Sequence, residues 1–154
     1  MLKGTHGTSK SRAEAIVDSE EFQASADGQL GAGAYFWAYD EDMSLARRLA
    51  ANWWRFAGKK CNAYEGDADP SLAILKAHIE VGDNVYFDAS SESFLELLIK
   101  TAEERKIQST KNDFNKLRAV LLKEIEEVQG FCFGVVRAEV DVPGIISGER
   151  EAPY

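Results

Sequence analysis

Two places in this chain combine residue types that do chemistry. The first is His6-Gly7-Thr8, close to the N-terminus. A histidine beside a glycine at a strand end offers an orientable imidazole next to an unshielded backbone amide and carbonyl, a natural grip for a carboxamide or a sugar hydroxyl. Taken alone, that dipeptide is more often a turn histidine with no task. The second place is Gly28-Gln29-Leu30-Gly31-Ala32-Gly33, which sets three glycines in six residues directly before Ala34-Tyr35-Phe36-Trp37-Ala38-Tyr39. Glycine lets backbone approach a ligand closely, and an aromatic ring just after it can offer a flat face to a heterocycle. Aromatic residues at strand spacing are nonetheless more often plain core.

Composition narrows what such groups could act on. Lys and Arg total 18 against 26 Asp and Glu, and the formal charge of −8 sets the field of the protein against phosphate-rich partners and anionic membranes. A nucleic-acid partner therefore needs a local basic patch. The cationic residues from Lys100 to Lys123 are interleaved with Glu and Asp, as on a solvated helix face. The two cysteines, Cys61 and Cys132, lie far apart and lack zinc-site spacing, which suits a reducing cytoplasm and argues against a metal. His78 falls on the polar alternation of a strand and reads as structural or exposed. Residues 1–6 lack a secretory apolar region, and no apolar run approaches the roughly 20 residues that span a bilayer. The expectation is a soluble, cytoplasmic protein without a membrane partner. At 154 residues, it forms a single domain over 1–154 with a core that needs no disulfide.

The elements that must position these residues follow from periodicity. Residues 1–8 read as a short strand ending in a turn at His6-Gly7-Thr8. Ser11 with Glu14 forms a capping box for a helix carrying Ala13, Ile16 and Val17. The glycine-rich loop feeds a strand over 34–39. Leu45, Leu49 and Trp53, flanked by Ala46, Ala50 and Trp54, recur at helical spacing over 42–56, with Gly58 as the residue past the end. Strict alternation over 72–81 predicts a half-buried strand, and residues 84–88 continue the same sheet after a Gly82-Asp83 turn. Ser90-Ser91 caps a helix carrying Phe94, Leu95, Leu98 and Ala102. A longer helix runs from near Thr110 to Gln129 with a seam of Leu117, Leu121, Ile125 and Val128, and Gly130 ends it. Residues 131–142 return to β character. Strands and helices without a regular βαβ beat place the chain in the α+β class.

In order and content these pieces resemble the ADP-ribosyltransferase superfamily of the His-Tyr-Glu type, the group of diphtheria toxin and the poly(ADP-ribose) polymerases. The resemblance rests on His6-Gly7-Thr8, the helix after it, Gly31-Ala32-Gly33-Ala34-Tyr35-Phe36, the helix start at Ser44 and the strands over 74–81 and 84–88. It covers most of residues 2–90 and returns weakly at Val140-Asp141-Val142-Pro143-Gly144. It implies an ADP-ribosyltransferase-like fold, with a split mixed and antiparallel sheet around an NAD cleft and a helical insertion over about 90–130. It also implies transfer of ADP-ribose from NAD to a macromolecular acceptor with release of nicotinamide, and no metal. In that scheme His6 bonds a ribose hydroxyl, Gly7 clamps the carboxamide through its backbone, and Tyr35 stacks on the nicotinamide. Thr8, Gly33 and Phe36 complete the NAD contacts.

The sequence departs from the pattern in two ways. Arg47 or Arg48 stands where many relatives place a second ring-stacking tyrosine, with Tyr39, Trp53 and Trp54 as other candidates for that ring. The third element, a glutamate on a late strand, is assigned first to Glu151, then to Glu149, then to Glu139. Pro143-Gly144 resembles the loop before that strand, and Tyr154 follows too soon for a full strand, so the expectation is either a truncated chain or an altered last element. Small relatives of this kind imply a toxin of a toxin–antitoxin or anti-phage system, with a protein or nucleic-acid acceptor and an antitoxin protein as partners. The alternative is a catalytically inactive module that binds NAD, ADP-ribose or a protein surface. An RNA 2′-phosphotransferase relative would use arginines beside its histidine, for which Lys3 and Arg12 are poor substitutes.

Overall fold

Small side chains decide how the N-terminal strand is packed. The computed structural model describes residues 1–26, 28, 30–82, 85–107 and 111–140, and in it Leu2–Ser9 forms β1. Then come α1 (Lys10–Ser19), β2 (Trp37–Ala38), α2 (Ser44–Cys61), β3 (Leu72–Ile79), β4 (Tyr86–Asp88), α3 (Glu92–Glu104), α4 (Lys111–Gln129) and β5 (Val135–Arg137). The chain is thus an α+β protein. Its described residues divide into two units. One comprises Met1–Phe22 with Tyr35–Glu80, the other Gln23–Ala34 with Val81–Val140.

In the first unit β1 is the middle strand of an antiparallel sheet ordered β2-β1-β3. Its pairing with β3 runs unbroken from Leu2↔Ile79 to Ser9↔Leu72. The expected turn at His6-Gly7-Thr8 is therefore absent, and these residues continue the strand. α2 crosses the Thr5/Gly7 face of β1. Thr5 Oγ1 donates to the Ala46 carbonyl at 2.9 Å, and a Cβ placed on Gly7 would fall 2.1 Å from the Ala50 carbonyl oxygen. Ala46 and Ala50, one helical turn apart, supply the buried stripe with Ala57. Leu45, expected on that seam, is 62% exposed, because only methyl-sized side chains fit where a helix approaches a strand this closely.

The element ends also differ from expectation. Ser9 caps α1, its Oγ accepting from the Arg12 N–H at 3.4 Å, and Ser11 lies inside the helix. α2 runs through Gly58 to end at Asn62, whose φ of 49° is left-handed and whose N–H returns to the Ala57 carbonyl. β2 keeps two residues of the expected 34–39 strand.

In the second unit β4 pairs in parallel with β5, from Tyr86↔Val135 to Asp88↔Arg137, and does not extend the sheet of β3. A parallel pair needs a long crossover, and α3 and α4, the helices expected as an insertion, lie between its strands. Ala89, Phe94, Leu98 and Ala102 are buried against Leu117, Leu121 and Leu122, with Leu30, Phe87, Phe133 and Val136 packed around them. Val128, expected on the α4 seam, is 88% exposed. The strand expected over 131–142 reduces to Val135–Arg137.

Candidate functional site

Side chains alternate along β1, so the residues on either side of His6 face α2 and His6 faces away from it. There it is half-buried between two rings. Phe22 meets the imidazole edge-on at 5.4 Å and 77°, and Phe36 lies at 5.7 Å and 52°. The phenylalanines contact each other edge-to-face at 4.8 Å, closing a three-ring cluster. Gly4, on the same face of the strand, makes room for it: a Cβ there would sit 2.7 Å from the Cβ of Phe36.

A hydrogen bond fixes the imidazole further. His6 Nδ1 lies 2.9 Å from the main-chain carbonyl of Tyr35. A carbonyl only accepts, so Nδ1 carries the proton, and in the neutral ring Nε2 becomes the accepting atom. The ring is thus held both in orientation and in tautomer.

The main chain of Gly7 is oriented by the same ladder. Lys10 donates to the Ser71 carbonyl on the β3 side, and Tyr39 donates to the Lys3 carbonyl on the β2 side. Peptide groups alternate along an antiparallel strand, so Gly7, in phase with Lys3 and Thr5, turns its N–H and C=O toward the β2 side. Pairing there ends at Thr5↔Trp37. Beyond that point the chain of Tyr35 passes close enough to hold His6. The amide and carbonyl of Gly7, a buried residue, therefore point to the side of the strand where the pairing with β2 has ended.

The other expected site residues fall in different surroundings. Thr8 is buried, Phe36 belongs to the ring cluster, and Tyr35 is half-buried. Arg47 is exposed on α2. Gly33 belongs to the second unit, where it exchanges two main-chain hydrogen bonds with Ser25 at 3.0 and 3.1 Å. Glu139, read from the sequence as a strand residue, lies past the end of β5. Its N–H donates to Ser90 Oγ at 2.9 Å and its carbonyl accepts from Arg118 at 3.2 Å. Glu149, Glu151 and the Pro143-Gly144 loop lie outside the described residues.

Arg12, weighed as a phosphotransferase arginine, is already engaged. It pairs with Asp67 at 2.9 Å and donates to the Ala63 carbonyl. The Ser9 hydroxyl also donates to Asp67 and, with the Arg12 guanidinium, holds that carboxyl below its ordinary range. Phe22 is the partner of His6 that sequence reasoning missed. It follows the left-handed Glu20 at the end of α1, φ 57°, where no periodic pattern marks it.

Among the described residues no cluster of three or more His, Cys, Asp or Glu side chains is placed to hold a metal ion, and no helix is long and apolar enough to cross a membrane. Comparison with family models, with curated proteins and with solved structures gives no match for this chain.

Proposed function

We propose that the chain is an NAD-dependent ADP-ribosyltransferase of the His-Tyr-Glu type. The observation that supports this reading is the anchoring of His6 Nδ1 on the Tyr35 carbonyl at 2.9 Å, which joins two residues 29 positions apart at one place next to Gly7 in the strand. In the reaction the C–N bond between ribose and nicotinamide breaks, the pyridinium takes the bonding pair and leaves as neutral nicotinamide, and charge develops on the ribose as an oxocarbenium ion. An acceptor nucleophile then bonds the anomeric carbon and loses its proton.

Such a transition state needs rigid positioning more than it needs a strong base. His6 Nε2 accepts from a ribose hydroxyl. Gly7 matches the carboxamide with one N–H and one C=O, which leaves neither amide group of nicotinamide unpaired. The Tyr35 ring stacks on the leaving group. Glu151, or Glu149 in its place, supplies the carboxylate near the ribose 2′-hydroxyl. Arg47, Thr8, Phe36 and Gly33 are secondary NAD contacts in this scheme. The acceptor is a protein or nucleic acid, and a toxin role with an antitoxin partner fits a small chain of this kind.

Incubating the full chain with radiolabelled NAD and a cell lysate tests the reading. Label transfer with release of nicotinamide, lost in His6→Ala and Tyr35→Ala, is the expected result. Calorimetric binding of NAD with no turnover would mark an inactive binding module instead. Neither binding nor release would remove the proposal.

A further inference from the structure

Charge is distributed unevenly between two helices. In a chain of net charge −8, α2 carries Arg47, Arg48, Arg55, Lys59 and Lys60 and no Asp or Glu. α3 is its opposite, with Glu92, Glu96, Glu103 and Glu104 against Lys100 alone. All of these side chains are exposed. Among the described residues the cations of α2 make no ion pair, nor do Glu92, Glu96 and Glu103. We propose that the outward face of α2 docks against α3 of a second copy of the chain. The contact uses none of the residues assigned to NAD chemistry and stands independently of it.

Each helix bears three rows around its axis. In α2 the row against β1 is Ala46, Ala50 and Ala57, placed there by the close approach of Gly7 and the bond from Thr5. At about 100° per residue, Leu45, Leu49 and Phe56 lie about 100° round from the alanines, and Arg48, Arg55 and Lys59 lie opposite them. Leu45 and Phe56 are exposed, and Leu49 is half-buried. In α3 the buried row is Phe94, Leu98 and Ala102. Leu95 and Ile99, both exposed, follow about 100° round, and Glu92, Glu96 and Glu103 stand about 60° beyond them.

The rows match in length and in order. Arg48 and Lys59 are separated by the same number of residues as Glu92 and Glu103, about 16 Å of helix axis. Down the two axes, the order of buried, apolar and charged rows runs in opposite senses. Two such helices lying parallel therefore set apolar row against apolar row and cation against carboxylate. An apolar contact bordered by opposite charges is the arrangement in which those charges select the partner.

Other acidic partners fit less well. A polynucleotide would also meet Asp40, Glu41 and Asp42 just before α2 and Glu65, Asp67 and Asp69 just after it. A helix that lies on a bilayer turns its apolar row outward, whereas the row of α2 farthest from the alanines is charged.

Sedimentation of the full chain from about 10 μM to 1 mM tests the proposal, since one helix pair is a small interface and binds weakly. The parent is expected to associate, less in about 0.5 M salt than in about 0.05 M. Two double variants accompany it: Arg48→Glu with Arg55→Glu reverses the α2 row, and Glu96→Lys with Glu103→Lys reverses the α3 row. Circular dichroism verifies both folds, and if either fails, the single change Arg55→Glu or Glu96→Lys replaces it. Each variant alone associates at least about tenfold more weakly than the parent, because like charges then oppose each other. An equimolar mixture regains association, since the unaltered α2 of one variant meets the unaltered α3 of the other. A parent that stays monomeric over the whole range, association retained by either variant, or a mixture that stays monomeric would each overturn the assignment.

Discussion

Gly7→Ala should be far more damaging than a one-carbon change suggests. The new methyl carbon would lie 2.1 Å from the Ala50 carbonyl oxygen, 2.6 Å from its carbonyl carbon and 3.2 Å from its Cα. All three are backbone atoms of α2, so no side chain can rotate away. Relief requires the helix to retreat from β1 by about 1 Å, since non-bonded carbons are comfortable only at about 3.5 Å. The bond from Thr5 to the Ala46 carbonyl, at 2.9 Å, ties the same helix to the same strand one turn earlier and resists that retreat. The cost belongs at or above the top of the usual overpacking range, about 3 kcal/mol. For a chain of this size each kcal/mol lowers Tm by about 2–4 °C, so the melting point should fall by about 6–12 °C. Urea unfolding followed by circular dichroism, with an unchanged m-value, measures the same loss isothermally. A loss below about 1 kcal/mol would show that α2 does not press on β1 as described.

Gly33→Ala is the matching control. Nothing lies within 4 Å of a Cβ there, so stability should stay within about 0.5 kcal/mol, and a larger loss in the same urea experiment would contradict the described loop. Leu98→Ala empties a fully packed position on α3 and should cost about 2–5 kcal/mol; a value under about 1 would mean that the α3–α4 core is looser than drawn. Asp67 governs an acid limb. Its folded-state pKa is lowered by the Ser9 hydroxyl and Arg12, so its stabilisation is complete above the unfolded carboxylate value and is lost as pH falls through the folded one. Asp67→Asn should therefore melt below the parent at pH 7, with the two Tm values converging below about pH 4. A gap that does not change with pH would refute that role.

Much of the local structure was legible because it is written in short-range pattern. The alternation of Ala73, Leu75, Ala77 and Ile79 marks β3, and the spacing of Phe94, Leu98 and Ala102 marks the buried face of α3. The failures share a cause in long-range contact. For α2, hydrophobicity pointed to Leu45 and Trp53, yet the buried face is the alanine stripe, chosen by a glycine more than 40 positions away on β1. β4 looked like the second arm of a hairpin, and nothing local reveals that its partner is Val135–Arg137. The cap of α1 shifted to Ser9 because that serine also reaches Asp67 across the unit.

In the candidate site, the adjacency of His6 and Gly7 in the chain is plain, but the bond to Tyr35 and the packing of Phe22 depend on how β1 meets the segment before β2. Gly7 itself has a second reason to be glycine, the approach of α2, which no motif discloses.

The central proposal is that the anchored imidazole of His6 and the main chain of Gly7 hold the nicotinamide riboside half of NAD. Crystals of the protein grown with NAD test it most directly. The expected density sets the carboxamide against the N–H and C=O of Gly7 and a ribose hydroxyl within hydrogen-bond reach of His6 Nε2. NAD bound away from His6, or no NAD at saturating concentration, would contradict the claim.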